Sequence, residues 1–109
     1  MKEHGYVYIL SLTEMPGTIK IGCSMYGGTT RARDINYKGI DSEFKSEFEL
    51  YCFNYRILEQ DIHKALDEYR HTGGRELFDM PINKAIRALI DLYLKKYMPK
   101  KARNLDARA

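Results

Sequence analysis

Tyr6 and Tyr8 stand two residues apart in Tyr-Val-Tyr-Ile-Leu-Ser-Leu, residues 6–12, and Lys20 sits inside Ile-Lys-Ile-Gly-Cys, residues 19–23. Both stretches read as strands from their β-branched and aromatic content. Glu14-Met15-Pro16-Gly17-Thr18 between them reads as a turn, so the pair is expected to form an antiparallel hairpin. Side chains alternate along a strand. Val7, Ile9, Ile19 and Ile21 then share the core face, and Tyr6, Tyr8 and Lys20 align on a polar face. Arg31 follows, with Arg33 close by, and its planar paired donors suit a phosphate. Its place at a helix start would add free N–H groups and a favourable dipole. Glu59 is a lone carboxylate of the kind Mg²⁺ accepts while keeping most of its waters, with His63 one helical turn away. Such a set could stabilise the charge that gathers on non-bridging oxygens when a phosphodiester is hydrolysed. Tyr8 would orient or deprotonate the attacking water. A phenol is a poor base unless a nearby cation lowers its pKa, and Lys20 is the candidate for that.

Each of these residues also has a plain structural reading. Tyr6 and Tyr8 could simply cover the sheet in a chain with nine tyrosines, and Lys20, Arg31 and Glu59 could be surface charges. His63 could be a metal partner, an acid or base, or an i,i+4 surface contact of Glu59. Glu-x-x-x-His can hold Zn²⁺, but a third and a fourth ligand are needed and none is evident. Glu76 reads as a loop acid or a second metal ligand.

The elements that must position these groups follow from the pattern. Gly27-Gly28 is a loop, and Thr29 or Thr30 caps a helix over about 30–38 that Gly39 ends. Residues 45–53 alternate, with Phe48, Leu50 and Cys52 facing one way and Glu47, Glu49, Tyr51 and Phe53 the other, as in a strand with one face on the core. Residues 56–70 carry the helical stripe Leu58, Ile62, Ala65, Leu66 and Tyr69. Thr72-Gly73-Gly74 breaks that helix. A last helix begins near Pro81 with the stripe Ile82, Ile86, Leu89, Ile90, Tyr93 and Tyr97, and Pro99 stops it. The order β-β-α-β-α-α predicts an α+β class, a small three-stranded antiparallel sheet flanked by helices.

A chain of 109 residues, 44% apolar and 30% charged, fits one globular core, expected over residues 1–98 and followed by a basic tail at 99–109. No apolar run approaches a membrane span, and Met1-Lys2-Glu3-His4-Gly5 lacks the features of a signal peptide, so a cytoplasmic protein is expected. Cys23 and Cys52 are too few for a disulfide framework or a four-cysteine zinc site and read as reduced, small buried side chains. The net charge of +3 is unevenly spread. Six basic residues and one acid in 95–109 give that segment +5 and leave −2 for the rest. Only the tail, with Lys100, Lys101 and Arg103, has the electrostatics of a phosphate-binding segment.

Gly5-Tyr6-Val7-Tyr8-Ile9-Leu10, then Ile19-Lys20-Ile21-Gly22, then Arg31 and Glu59 on successive helices, resemble the GIY-YIG nuclease superfamily over about residues 5–80. The resemblance implies one metal-dependent phosphodiesterase site. It makes Tyr8 the tyrosine of the first motif, Arg31 the helix arginine and Glu59 the metal-binding glutamate. Lys20 stands where many members have a second tyrosine, as in a phage and prophage branch whose second motif reads Lys-Ile-Gly. Glu59-x-x-x-His63 and Arg75-Glu76-Leu77-Phe78 resemble that branch too. The asparagine that many members carry after the glutamate has no clear equivalent.

The expectation is therefore a metal-dependent DNA endonuclease. Tyr8, Lys20, Arg31 and Glu59 would carry catalysis, with Glu59 on Mg²⁺ or Mn²⁺. Tyr6, Arg33, His63 and Glu76 would support, and Lys100, Lys101 and Arg103 would hold DNA without reading its sequence. Sequence preference would come from a homodimer or a targeting partner, and no membrane is involved. Two alternatives remain: a binding module that has lost the reaction, favoured by Lys20 and the missing asparagine, and a mobile-element interaction module with Tyr51 or Tyr97 as anchors.

Overall fold

The computed structural model describes residues 3–37 and 43–97. Gly39 and the basic tail, including Lys100, Lys101 and Arg103, lie outside the described residues. The elements run β1 (His4–Leu12), β2 (Thr18–Ser24), α1 (Gly28–Tyr37), β3 (Phe44–Phe53), α2 (Tyr55–Ala65), a 3₁₀ turn (Asp67–Tyr69), β4 (Leu77–Asp79) and α3 (Ile82–Tyr97). The class is α+β as expected, but the sheet has four antiparallel strands in the order β3-β1-β2-β4. The fourth strand is only three residues long, too short to show a period. It pairs with the Thr18–Lys20 end of β2 and is held there by side chains. The Thr18 hydroxyl donates to Asp79 at 2.7 Å, and His71 Nδ1 lies 2.9 Å from the same carboxylate.

The hairpin turns at Gly17, whose φ of 96° lies in the region that favours glycine. Val7, Ile9, Ile19 and Ile21 are fully buried beneath α2 and α3, against Leu58, Ile62, Leu66, Ala85 and Leu89. The second helix is shorter than its stripe suggested. It ends at Ala65, which is exposed, and a 3₁₀ turn carries the chain through Tyr69. Asn54 turns the chain from β3 into α2 in one residue by adopting φ 57°, a left-handed conformation that asparagine tolerates better than most side chains.

The face expected to be polar is covered instead. Helix α1 packs on it through Ala32, and Tyr8 and Leu10 are buried there with Phe44 against them. A β-bulge makes this second small core possible. Between Ile9 and Leu10 the β3 partner passes from Phe48 to Ser46, so Glu47 is an extra residue. Phe48 therefore packs on the main core, while Phe44 packs on the Tyr8 side. Tyr97 is no exposed anchor, since its hydroxyl donates to the Phe53 carbonyl and its ring packs on the main core. Among the described residues, no helix is long and apolar enough to cross a membrane.

Adjacent residues of α2 test this packing. Leu58→Ala is expected to lower unfolding free energy by about 2–5 kcal/mol, because it leaves a cavity under Val7 and Ile21. Ile57→Ala, on the exposed side of the same turn, should change it by about 0.5 kcal/mol or less. Urea unfolding measures both, and equal losses would contradict the assigned face.

Candidate functional site

The β1–β2 ladder sets Tyr8 opposite Gly22. A Cβ on Gly22 would lie 2.7 Å from the Tyr8 Oη and 2.9 Å from Glu76 Oε1. The missing side chain thus leaves room for a phenol from β1 and a carboxylate from the loop before β4 to meet over β2. The short β4 matters here, because beyond Lys20 the edge of β2 has no strand partner among the described residues. Its polar groups are satisfied by site residues. The Ile21 N–H donates to the Glu76 carbonyl at 2.9 Å, and His63 Nε2 donates to the Ile21 carbonyl at 2.8 Å. That bond fixes the proton on Nε2 and leaves Nδ1 as the nitrogen with a lone pair in the neutral ring.

Three further groups gather around this opening. Lys20 Nζ donates to Glu76 Oε1 at 2.9 Å, with the lysine side chain only 16% exposed. Arg31, in the first turn of α1, donates to the Tyr8 hydroxyl. Glu59, on α2, accepts from the Cys23 thiol and lies near His63, Glu76 and Lys20. The structure therefore brings together Tyr8, Lys20, Arg31, Glu59, His63 and Glu76. Arg33 is exposed, and Tyr6 packs edge-on against Tyr51 instead.

The charges correct two expectations. Burial pushes the Tyr8 phenol up to about 12, and the opposing pull of Arg31 does not offset it. Tyr8 is thus a neutral hydrogen-bonding group at pH 7, not a ready base, and the cation beside it is Arg31, while Lys20 is paired with Glu76. The N-terminus of α1 is also not free for phosphate. The Gly28 N–H donates to Glu49 Oε1 at 2.9 Å, so the chain's own carboxylate takes that place. Glu49 pairs with Tyr8 from the β3 side, so it fixes the start of the helix that carries Arg31.

Burial also raises the Glu59 carboxyl above its ordinary value, and Glu76 adds to the rise, while His63, the Cys23 thiol and Lys20 oppose it. Among the described residues, no group of three or more His, Cys, Asp or Glu is arranged to hold a metal ion. That excludes a zinc cage built from these residues. A half-buried carboxylate that costs free energy to ionise does fit one hard cation that keeps most of its waters. Glu59 is the residue that would hold it.

Sequence reasoning missed Cys23 and Glu49. Cys23 reads as core filler but is a half-buried thiol donating to Glu59, and burial followed by that carboxylate raises its pKa to about 12. Glu49 reads as a solvent-facing residue because nothing in its own strand reveals that α1 crosses that face.

The family model of the T5orf172 domain matches residues 5–93, from the start of β1 through most of α3. No curated protein matches the chain, and no solved structure matches it.

Two substitutions probe the centre. Gly22→Ala forces a Cβ into the Tyr8 ring and is expected to cost about 1–3 kcal/mol in urea unfolding; an unchanged midpoint would contradict the convergence on Gly22. Glu59 has a raised folded-state pKa, so its stabilising influence is present at low pH and is lost as pH rises through the carboxyl titration. Glu59→Gln should therefore melt higher than the native chain at pH 7 in EDTA, and Mg²⁺ should raise the melting temperature of the native chain alone.

Proposed function

This chain belongs to the T5orf172 domain family, a phage-associated domain found in nuclease-related proteins, and from that premise we propose that it is a metal-dependent endonuclease that hydrolyses DNA phosphodiester bonds. The reading also takes it to be of the GIY-YIG branch whose second motif is Lys-Ile-Gly. The observation that carries the reading is the meeting of Tyr8, Arg31, Lys20, Glu76 and Glu59 around a glycine with no side chain to block it. Cations and a carboxylate at one opening are what phosphoryl chemistry requires.

Arg31 faces the opening with its fork of donors and stabilises the negative charge that grows on the non-bridging oxygens. Tyr8 is held protonated, so it positions a water or phosphate oxygen through its hydroxyl and takes no proton itself at neutral pH. Lys20 supplies charge through its pair with Glu76 and holds that carboxylate over β2. Glu59 would hold Mg²⁺ or Mn²⁺, which when bound supplies an activated water and charge at the leaving oxygen. His63 is a positioning residue: its bond to the Ile21 carbonyl locks the turn of α2 that bears Glu59 against β2. Lys100, Lys101 and Arg103 add sequence-independent attraction to DNA.

One observation favours a second reading, a DNA-binding module that does not cut. The Lys20 charge is already consumed by Glu76, and among the described residues Glu59 belongs to no group of three or more side chains that could hold a metal.

Nicking of supercoiled plasmid with Mg²⁺, with Mn²⁺ and with EDTA separates the two. Cutting should require the metal, and Glu59→Ala should abolish it. Arg31→Ala should lower the rate by about 10²–10³-fold, as loss of a transition-state donor does. Salt-sensitive binding with no metal-dependent cutting would establish the module reading instead. Because the Glu59 carboxyl is raised and a cation needs its ionised form, the metal concentration for half-maximal cutting should rise as pH falls.

A further inference from the structure

Beyond the Gly22 centre, the other end of the same sheet face carries four aromatic rings. In the β1–β3 register His4 pairs with Phe53 and Tyr6 with Tyr51, so all four rings lie on the face that bears Tyr8. Tyr6 meets Tyr51 edge-on with ring centres 5.0 Å apart, and His4 stacks on Tyr51 at 5.6 Å with planes 19° apart. His4 also lies 5.3 Å from Phe53. Despite these neighbours Tyr51 is 56% exposed. We infer that this array is a stacking platform for unpaired nucleotides, which leads a single strand of DNA into the Gly22 site. The inference rests on the nuclease reading and deepens it by naming the form of the substrate.

Position is the first argument. Tyr6 is two residues along β1 from Tyr8, which on an extended strand is about 6.5 Å. Helix α1 covers Tyr8 and Leu10 through Ala32, and among the described residues no such cluster covers Tyr6 or Tyr51. The array is therefore continuous with the site and open beside it.

Chemistry is the second. Every base has a π-face, so rings on an open sheet bind single strands with little regard to sequence, whereas a duplex keeps those faces stacked inside. Arg31 puts positive charge at the Tyr8 end of the path, where Lys20 is held in its pair with Glu76. Of the acids of β3, Glu49 lies on this face opposite Tyr8 but is already engaged by the Gly28 N–H, and Glu47 accepts from the Ser11 hydroxyl at 2.6 Å.

The same face suits a protein strand poorly. Although β3 is an edge strand, it carries Lys45, Glu47 and Glu49 and a bulge, features that discourage pairing with another chain.

The chain contains no tryptophan, so Tyr51→Trp places a single indole, excited selectively at the red edge of tyrosine absorption, on the platform. In EDTA, an oligothymidylate should quench that fluorophore, and its duplex with oligoadenylate should not. Anisotropy should show Tyr51→Ala binding the single strand about tenfold more weakly, with duplex binding unchanged and Tyr51→Trp restoring the affinity. Single-strand binding that ignores Tyr51→Ala, with metal-dependent cutting intact, overturns the platform and leaves the nuclease reading standing. No binding of either nucleic acid by the native chain overturns both. A dimer in sedimentation that Tyr51→Ala converts to monomer makes the array an interface between copies and overturns the stacking role.

Discussion

The register that sets Tyr8 opposite Gly22 governs the site. A slip of one residue would turn Val7 and Ile9 out of the core and Tyr8 into it, so burial of Val7, Ile9, Ile19 and Ile21 under α2 and α3 locks that register. The lock has a chemical result. It sets a large phenol across from the one strand position that can receive its hydroxyl without a clash, and it leaves space there for Glu76. The cut-off of β4 at Lys20 completes the opening, because the β2 edge is then bonded by Glu76 and His63 and not by a further strand.

Each charged group in this opening has a polar partner, but only one pair balances charge. Lys20 meets Glu76, Arg31 meets the Tyr8 hydroxyl, and the Cys23 thiol meets Glu59. Burial acts against the charge of Glu59 and Glu76 adds to the cost, with His63, a weakly donating thiol and Lys20 opposing them. An electrostatic cost thus sits on the carboxylate that the proposed chemistry assigns to a cation. Burial acts on Tyr8 in the opposite functional sense, keeping it protonated and able to position rather than ionise. Glu49 adds stiffness by holding the first turn of α1, and through it Arg31, to the sheet.

Much of this was legible in the sequence because strong periods carried it. The hairpin, its four core residues and the helix that bears Glu59 and His63 each announced themselves through alternation or a helical stripe. What stayed hidden depends on contacts between distant segments. The three residues of β4 are too few to show a period, and their place is fixed by Thr18, Asp79 and His71. The covering of the Tyr8 face by α1 was invisible because Tyr8 and Leu10 alternate with core residues as outward ones would. Phe44 was unreadable without the bulge at Glu47, which reverses its face relative to Phe48. Cys23 looked like filler because only α2, packed across β2, brings Glu59 to its thiol.

The proposed chemistry needs a cation site centred on Glu59 among the residues around Gly22. Paramagnetic Mn²⁺ titrated into ¹⁵N-labelled protein reads this directly through distance-dependent loss of amide signals. The amides of Gly22, Cys23 and Glu59 should broaden first, and Glu59→Gln should remove the effect. Broadening centred elsewhere, or equal in the native chain and the variant, would contradict it.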